Sequence, residues 1–146
     1  MQGYYGNADA TREVMTDDGW LRTGDLARRS RLGFVELMGR KKDVIKHGGY
    51  SVYAAEVERV LEEHPAVAEA AVIGLHSEQK GEVPGAVLRL HAGVELDENG
   101  LRGWLENRIA DYKIPQSFKF VDKLPRTGTD KVRKSELSAL FVLDAN

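Results

Sequence analysis

Hydrophobic residues recur along this chain with two different periods. Short apolar runs rich in aliphatic residues predict four strands. They are Val44–Lys46, Ala68–Leu75, Gly85–His91 and Phe118–Val121. Apolar residues spaced i, i+3 and i+4 predict helices over residues 53–63, after Asp97, and around residues 137–141. The alternation of strands with helices predicts an α+β domain of about a hundred residues.

Each predicted helix carries an apolar pair at i and i+4, which is typical of a face that packs on a core. The pairs are Val57 with Leu61, Leu105 with Ile109, and Leu137 with Phe141. Asp97 is a good N-cap for the second helix, and Pro115 is expected to close it. These apolar positions are therefore assigned to packing and not to a ligand site.

A different pattern precedes residue 39. Residues 19–38 carry the signals of a β-hairpin, with Leu21 and Leu26 on extended segments, a turn at Leu32-Gly33 and a returning run from Phe34 to Met38. This piece has too few apolar positions to enclose a core of its own. We expect its apolar side chains to be poorly ordered or to pack against a neighbouring chain, and a homodimer through residues 1–38 is one such arrangement.

Composition narrows the classes of function. The chain has 146 residues, 42% of them hydrophobic and 30% charged, with a net charge of −2, which argues against nucleic acid as a partner. It has no cysteine, which excludes disulfides and thiolate chemistry, and its four histidines lie in no metal-ligand spacing. No metal site is predicted. The sequence contains no apolar run of membrane length, so we predict no membrane span and a cytoplasmic location.

Two candidate sites involve glycines. Asp25 follows Thr23-Gly24 at a predicted turn, where a carboxylate can accept two hydrogen bonds from a vicinal diol such as a ribose. Such a tripeptide is more often only a turn. Gly48 and Gly49 follow a predicted strand, and their freedom to take positive φ suits either a tight turn or a backbone against which a slender ligand can lie.

A third candidate is Lys131, in a segment rich in threonine and glycine between a predicted strand and a helix. A mobile ammonium there can reach a phosphate or a developing mixed anhydride. An isolated lysine would ordinarily be solvated and inert. The combination of the three candidates is what favours a functional site.

The segments that hold these residues, Gly19–Asp25, Gly39–Glu58 and Leu124–Lys134, resemble in order and flanking residues the motifs of the adenylate-forming enzymes. That superfamily includes acyl-CoA synthetases, amino-acid adenylation domains and luciferases of the firefly type. The resemblance covers nearly the whole chain.

The resemblance implies a division of the chain into three parts. Residues 1–38 would be the C-terminal remnant of the family's large N-terminal domain, residues 39–43 the hinge, and residues 44–146 the small, mobile C-terminal domain. The implied fold class is α+β, with a mixed or antiparallel sheet and flanking helices, preceded by a β-hairpin.

The resemblance also implies a role for individual residues. Asp25 would bind the ribose hydroxyls of ATP and of the acyl-adenylate, with Arg40 at the same nucleotide end. Lys42 would be the hinge residue about which the small domain rotates between two half-reactions. Lys131 would be the catalytic lysine, which bridges the attacking carboxylate and the phosphates.

The tunnel for the pantetheine arm of CoA would be lined by Gly48, Gly49 and Tyr50. Amino-acid adenylation domains usually have arginines at the positions of Gly48 and Ser51. The loop Lys46–Val52 therefore resembles that of acyl-CoA ligases, particularly fatty-acid ones.

Two positions depart from the family pattern. Asp130 stands where glycine is common and places a carboxylate beside Lys131. Aspartate tolerates turn geometry better than most residues, so the loop can survive, but its charge is expected to weaken the pull of Lys131 on phosphate. Lys134 stands where arginine is frequent, which keeps the charge and loses the bidentate geometry.

The resemblance implies the C-terminal portion of an ATP-dependent acyl-CoA ligase, an acid–thiol ligase that activates a carboxylic acid, a fatty acid in particular, as acyl-AMP and transfers it to CoA. ATP with Mg²⁺ and the co-substrate CoA are implied, with the ATP and Mg²⁺ sites mainly on the large domain, so the chain alone is predicted to be inactive. The alternative is a stand-alone, non-catalytic module that docks on a separate adenylation core or dimerises.

Overall fold

The computed structural model describes residues 1–142. The chain forms two compact units, with the division between Lys42 and Asp43. The predicted hinge at residues 39–43 spans this division, and its function as a hinge stays a prediction.

The first unit contains one short helix and one antiparallel hairpin among its regular elements. They are α1 (Ala8–Val14), β1 (Asp25–Arg29) and β2 (Val35–Arg40). The side chain of Asn7 caps α1 by accepting a hydrogen bond from the Ala10 N–H at 2.9 Å. This helix was not predicted, because it buries none of its residues and therefore shows no apolar stripe.

The predicted β-hairpin is present, but its first strand begins only at Asp25. Leu21 makes an isolated bridge with Met15. The apolar side chains of this unit have little to pack against within it, and Trp20, Phe34 and Leu37 remain 71%, 72% and 74% exposed. The first unit therefore has no core of its own to cover these side chains.

Within residues 43–142, the second unit forms a five-stranded sheet flanked by helices. Its strands are β3 (Val44–His47), β4 (Tyr50–Tyr53), β5 (Val67–Ser77), β6 (Gly81–Leu90) and β7 (Ser117–Phe120), and its α-helices are α2 (Ala54–Glu62), α3 (Glu98–Glu106) and α4 (Ala139–Val142). The strand order is β4-β3-β6-β5, and β7 pairs with β6. Only the β6–β7 pairing is parallel, so the sheet is mixed, as predicted.

Strand β6 is central, and its residues 83–88 are buried without interruption. Alternate residues nevertheless serve different faces. Ala86 and Leu88 join the larger core, with α2 and α3, whereas Val87 joins a smaller core with Leu124 and Leu137. Both faces of the sheet are therefore covered by apolar packing.

The structure corrects the region after the first predicted strand. Gly48 and Gly49 have φ values of 54° and 89°, and the chain reverses there to form β4, a strand that was not predicted. The helix expected from Tyr53 consequently begins at Ala54, directly after β4. Only four residues separate the turn from this helix, which is too short a stretch for a clear period-2 pattern.

Two predicted helix ends also differ. Asp97 caps α3 as predicted, accepting from the Gly100 N–H at 2.8 Å, but α3 ends at Glu106, well before Pro115. Ile109 therefore packs on the core from outside the helix. Near the end of the described chain, Leu137 lies between a 3-10 turn and α4 instead of on one continuous helix.

Of the four histidines, His47 is buried. Only 6% of His47 is exposed, and its Nδ1–H donates to the carbonyl oxygen of Glu82 at 3.0 Å. This hydrogen bond gives the buried Nδ1 a partner on β6. Among the helices of residues 1–142, none is both long and apolar enough to cross a membrane.

His64 is expected to make the stability of the second unit depend on pH. Its Nδ1 accepts the Ala66 N–H at 3.1 Å and its ring meets the edge of Trp104. Burial, followed by the charge of Arg108, lowers the pKa of His64 below 6.5. The unfolded chain therefore takes up the proton first, and the free energy of unfolding is expected to fall as the pH drops below about 6.5.

The measurement is urea unfolding of the 146-residue chain at several values between about pH 7.5 and pH 5.5. His64→Asn is the matched control, because its side-chain oxygen can accept the Ala66 N–H but does not titrate. A smaller pH dependence is expected in this variant. An unchanged dependence would show that other groups control stability in this range.

Candidate functional site

The first unit brings together the two residues predicted at the nucleotide end. Asp25 and Arg40 are register partners across the β1–β2 hairpin, and Arg40 Nε lies 3.3 Å from Asp25 Oδ1. Gly24, with a φ of 77°, turns the chain into β1, and its carbonyl accepts the Lys41 N–H at 2.8 Å. The turn and the strand register therefore place a carboxylate and a guanidinium side by side.

This pair remains open to a ligand. The Asp25 and Arg40 side chains are 40% and 54% exposed. A shallow depression of about 420 Å³ is lined by Gly24, Arg40, Lys41 and Lys42. Three cationic residues thus line the depression beside the exposed Asp25 carboxylate, and they present mainly the apolar parts of their side chains to it.

Gly48 and Gly49 form the two-residue turn of the β3–β4 hairpin, between the register partners His47 and Tyr50. Positive φ at both central residues is the requirement of a type I′ turn, one of the two common two-residue hairpin turns. A Cβ built on either glycine would have no atom within 4 Å. Backbone conformation therefore accounts for the glycines within this chain, and the space above them is free.

The tip of this hairpin is held by a residue that sequence reasoning missed. Tyr50 stacks on Tyr112, with ring centroids 4.4 Å apart and planes inclined by 19°. Tyr112 lies in a 3-10 turn that Lys113 fastens to α2 through an ion pair of 2.6 Å with Glu56. No local pattern marks Tyr112, because its partner is distant in sequence.

Lys131 lies on a closed loop. An antiparallel bridge joins Arg126 to Val132, and the Thr127 N–H donates to the Lys131 carbonyl at 2.7 Å. Asp130 has a φ of 62°, in the left-handed region that glycine would occupy at least cost. The prediction that aspartate can take this turn geometry is confirmed.

Arg126 is the main anchor of this loop. Its Nη2 donates to Glu69 Oε2 at 2.7 Å on β5, and its Nη1 donates to the Asp130 carbonyl at 2.7 Å. The Asp130 carboxylate lies 3.5 Å from the same Nη1. On β5, a hydrogen bond from Arg89, helped by the charges of Arg89 and Arg126, holds the pKa of Glu69 below its usual range, so Glu69 stays ionised as an anchor.

Lys134 fastens the chain that leaves this loop. Its Nζ lies 2.6 Å from Glu58 Oε1 on α2 and 3.9 Å from Asp43 Oδ2. The same Glu58 oxygen accepts the Val72 N–H at 2.7 Å, so the carboxylate is held from two sides. A lysine therefore makes a point contact where an arginine fork is common in the family.

The glycine turn and the Lys131 loop are attached to different strands of the second unit. The glycine turn joins β3 to β4, and β4 is one edge strand. The Lys131 loop is fastened to β5, the strand at the other end of the order. The second unit therefore carries these two functional candidates on separate parts of its sheet.

Residues 1–142 hold no group of three or more histidine, aspartate or glutamate side chains arranged to bind a metal ion. The part of the chain that the structure describes therefore offers no cage that fits Mg²⁺.

Comparison with known proteins gives one consistent result. A family model described as the AMP-binding enzyme C-terminal domain matches residues 56–131, more than half of the chain. The feruloyl-CoA synthase of Amycolatopsis sp is 42% identical over 141 residues, which are 97% of this chain and 28% of that enzyme. The 2-succinylbenzoate–CoA ligase of Geobacillus kaustophilus is 42% identical over 96% of this chain and 28% of its own length.

A solved structure agrees with these relatives. The o-succinylbenzoate CoA synthetase of Bacillus subtilis, in complex with its acyl-adenylate intermediate, has a TM-score of 0.88 at 39% identity. The match covers 94% of this chain and 28% of that one. The chain thus spans less than a third of the length of the proteins it resembles.

Proposed function

The chain belongs to the AMP-binding enzyme C-terminal domain family of the adenylate-forming enzymes, and we propose that it is the C-terminal portion of an ATP-dependent acyl-CoA ligase. Such an enzyme activates a carboxylic acid as acyl-AMP, with release of pyrophosphate, and then transfers the acyl group to the thiol of CoA with release of AMP. Residues 1–38 would be the end of the large domain, and residues 44–146 the small mobile domain.

The observation that carries this proposal is that the glycine turn and the Lys131 loop are attached to different strands of one unit: the turn joins β3 to β4, and Arg126 fastens the loop to Glu69 on β5. We infer that a domain built in this way presents them one after the other to a substrate held elsewhere. Two half-reactions at one site require two such arrangements. The geometry therefore supports a domain that serves the reactions in turn.

In the adenylation arrangement, the Lys131 ammonium would contact the attacking carboxylate and the α-phosphate. Negative charge gathers on the phosphate oxygens in the transition state, and a fixed ammonium stabilises it there. In residues 1–142, no ion pair or hydrogen bond is recorded for the Lys131 ammonium, whose loop is exposed. The charge is thus available to a substrate.

In the thioester-forming arrangement, rotation about Lys42 would withdraw Lys131 and bring Gly48, Gly49 and Tyr50 to the adenylate. The free space above both glycines supports their role as one wall of the pantetheine tunnel. The stack of Tyr50 on Tyr112 would hold that wall in place.

Asp25 and Arg40 would serve the nucleotide in both arrangements. An exposed carboxylate can accept both ribose hydroxyls, and the adjacent guanidinium orients it. ATP would bring its Mg²⁺ to the large domain. CoA would be the acyl acceptor.

The class of acid is proposed only as a carboxylic acid. The relatives are named for ferulate and 2-succinylbenzoate. The fatty acid predicted from the glycine loop, and the cytoplasmic location, stay predictions. A substrate screen should therefore include aromatic and aliphatic acids side by side.

A second candidate, a module that docks on a separate adenylation core or dimerises, is favoured by one observation. The exposed Trp20, Phe34 and Leu37 give the first unit an uncovered apolar surface. In a full ligase the same surface would pack on the rest of the large domain.

A chimera tests both candidates. Residues 1–146 replace the matching segment of the Bacillus subtilis o-succinylbenzoate CoA synthetase, and thioester formation is measured with o-succinylbenzoate, ATP and CoA. We expect this chimera to be active, the synthetase truncated before that segment to be inactive, and the 146-residue chain alone to release no pyrophosphate with any acid.

If the chain is a docking module, a different pattern of activities is expected. The chain added as a separate polypeptide would then restore activity to the truncated synthetase. A chimera that is folded by thermal unfolding, yet no more active than the truncated synthetase, would contradict the proposed ligase function.

A further inference from the structure

The loop that carries Lys131 has an acidic residue at the preceding position, where Asp130 replaces the family's glycine. An acid at this position is expected to compete with phosphate for Lys131. The structure shows where the carboxylate lies. Asp130 Oδ1 is 3.5 Å from Arg126 Nη1. Within residues 1–142, the Asp130 carboxylate makes no ion pair with the Lys131 ammonium.

Arg126 is built to hold this arrangement. Its side chain is only 28% exposed and joins the loop to β5 through Glu69, with a separation of 57 residues in sequence. Glu69 is itself held by Arg89 across the β5–β6 pair at 2.9 Å. One guanidinium therefore contacts the sheet, the loop backbone at the Asp130 carbonyl, and the Asp130 side chain.

We propose that Arg126 is the positioning residue of Lys131: it fixes the loop on β5 and draws the Asp130 carboxylate away from the catalytic ammonium. This inference rests on the proposed function. Arg126 does not touch the reacting atoms, and its effect passes through Asp130 and the loop backbone. It also explains how the loop accommodates an acid where a glycine is common.

The catalytic test uses four versions of the chimera: unsubstituted, Arg126→Ala, Asp130→Asn and the double variant. Asparagine keeps the left-handed turn and removes the charge. Adenylation is followed by acid-dependent exchange of pyrophosphate into ATP, and thioester formation is followed separately from preformed acyl-adenylate and CoA.

Arg126→Ala is expected to lower kcat for adenylation by about tenfold or more, with thioester formation within about twofold. In the Asp130→Asn background, the loss caused by Arg126→Ala should be at least about threefold smaller, because no carboxylate is released toward Lys131. Arg126→Lys keeps the charge but not the forked guanidinium. Its kcat for adenylation should lie between the values for the unsubstituted chimera and Arg126→Ala. If Arg126→Ala does not fold, Arg126→Lys in both Asp130 backgrounds gives the same comparison.

A second readout needs no catalysis. Trypsin cuts after lysine and arginine, and the loop released from β5 should be cut faster at Lys131. We expect Arg126→Ala to accelerate this cut in the 146-residue chain by about tenfold, with the cut after Lys123 unchanged as the internal control. This proteolysis experiment tests whether Arg126 anchors the loop, even if the chimera is inactive. An inactive chimera would count only against the proposed ligase function.

Two results would overturn the proposal. One is an Arg126→Ala variant with normal adenylation and normal cleavage at Lys131. The other is an equal loss in both half-reactions that is the same in both Asp130 backgrounds, since that pattern belongs to general destabilisation and not to positioning.

Discussion

Lys131→Ala in the chimera is expected to lower kcat for adenylation by about a hundredfold or more while thioester formation from preformed acyl-adenylate continues. The ammonium stabilises charge that develops on phosphate only during adenylation, so its removal should leave the second half-reaction with its own machinery. Pyrophosphate exchange and single-turnover transfer to CoA measure the two steps separately.

The matched control is Lys123→Ala, another exposed lysine of the second unit. It removes the same charge and side-chain length, and both steps should stay within about twofold. Equal losses in both half-reactions for Lys131→Ala, with a normal thermal unfolding curve, would contradict a role confined to adenylation.

The parts of the fold that could be predicted from the sequence are those specified by neighbours along the chain. The pair Val57 and Leu61 marks α2, and Asp97 marks the start of α3, because a stripe and a cap are local properties. The pair Gly48 and Gly49 likewise predicted a turn with positive φ. What a glycine pair does not specify is whether the chain returns as a strand, and β4 was missed for that reason.

The candidate site shows the same limit. The motifs identified Lys131 and the turn at Gly48 and Gly49, but the residues that hold this loop and this turn pair over long separations. Arg126 and Glu69 are 57 positions apart, and so are Lys113 and Glu56. Charge pairs of this kind form only when the sheet brings its strands together, so no period or spacing reveals them.

Replacement of Gly49 is expected to have the opposite effect to that of Lys131. Gly49→Leu in the chimera should reduce thioester formation by about a hundredfold, with adenylation within about threefold, because the side chain would enter the space along which the pantetheine arm runs. Gly49→Ala should cost much less. Both variants have the same unfavourable φ of 89°, so the difference between them isolates side-chain size from backbone strain.

Gly93→Leu separates local strain from obstruction. Gly93 also has a positive φ, 76°, and free space where a Cβ would lie, but it follows β6, outside the glycine turn. The Gly93→Leu variant should lose about as much stability as Gly49→Leu, and the rates of both of its half-reactions should be unchanged. If Gly49→Leu were no worse than Gly49→Ala or Gly93→Leu in the transfer to CoA, the glycine would serve the turn alone, and the tunnel would have to be sought on another surface of the domain.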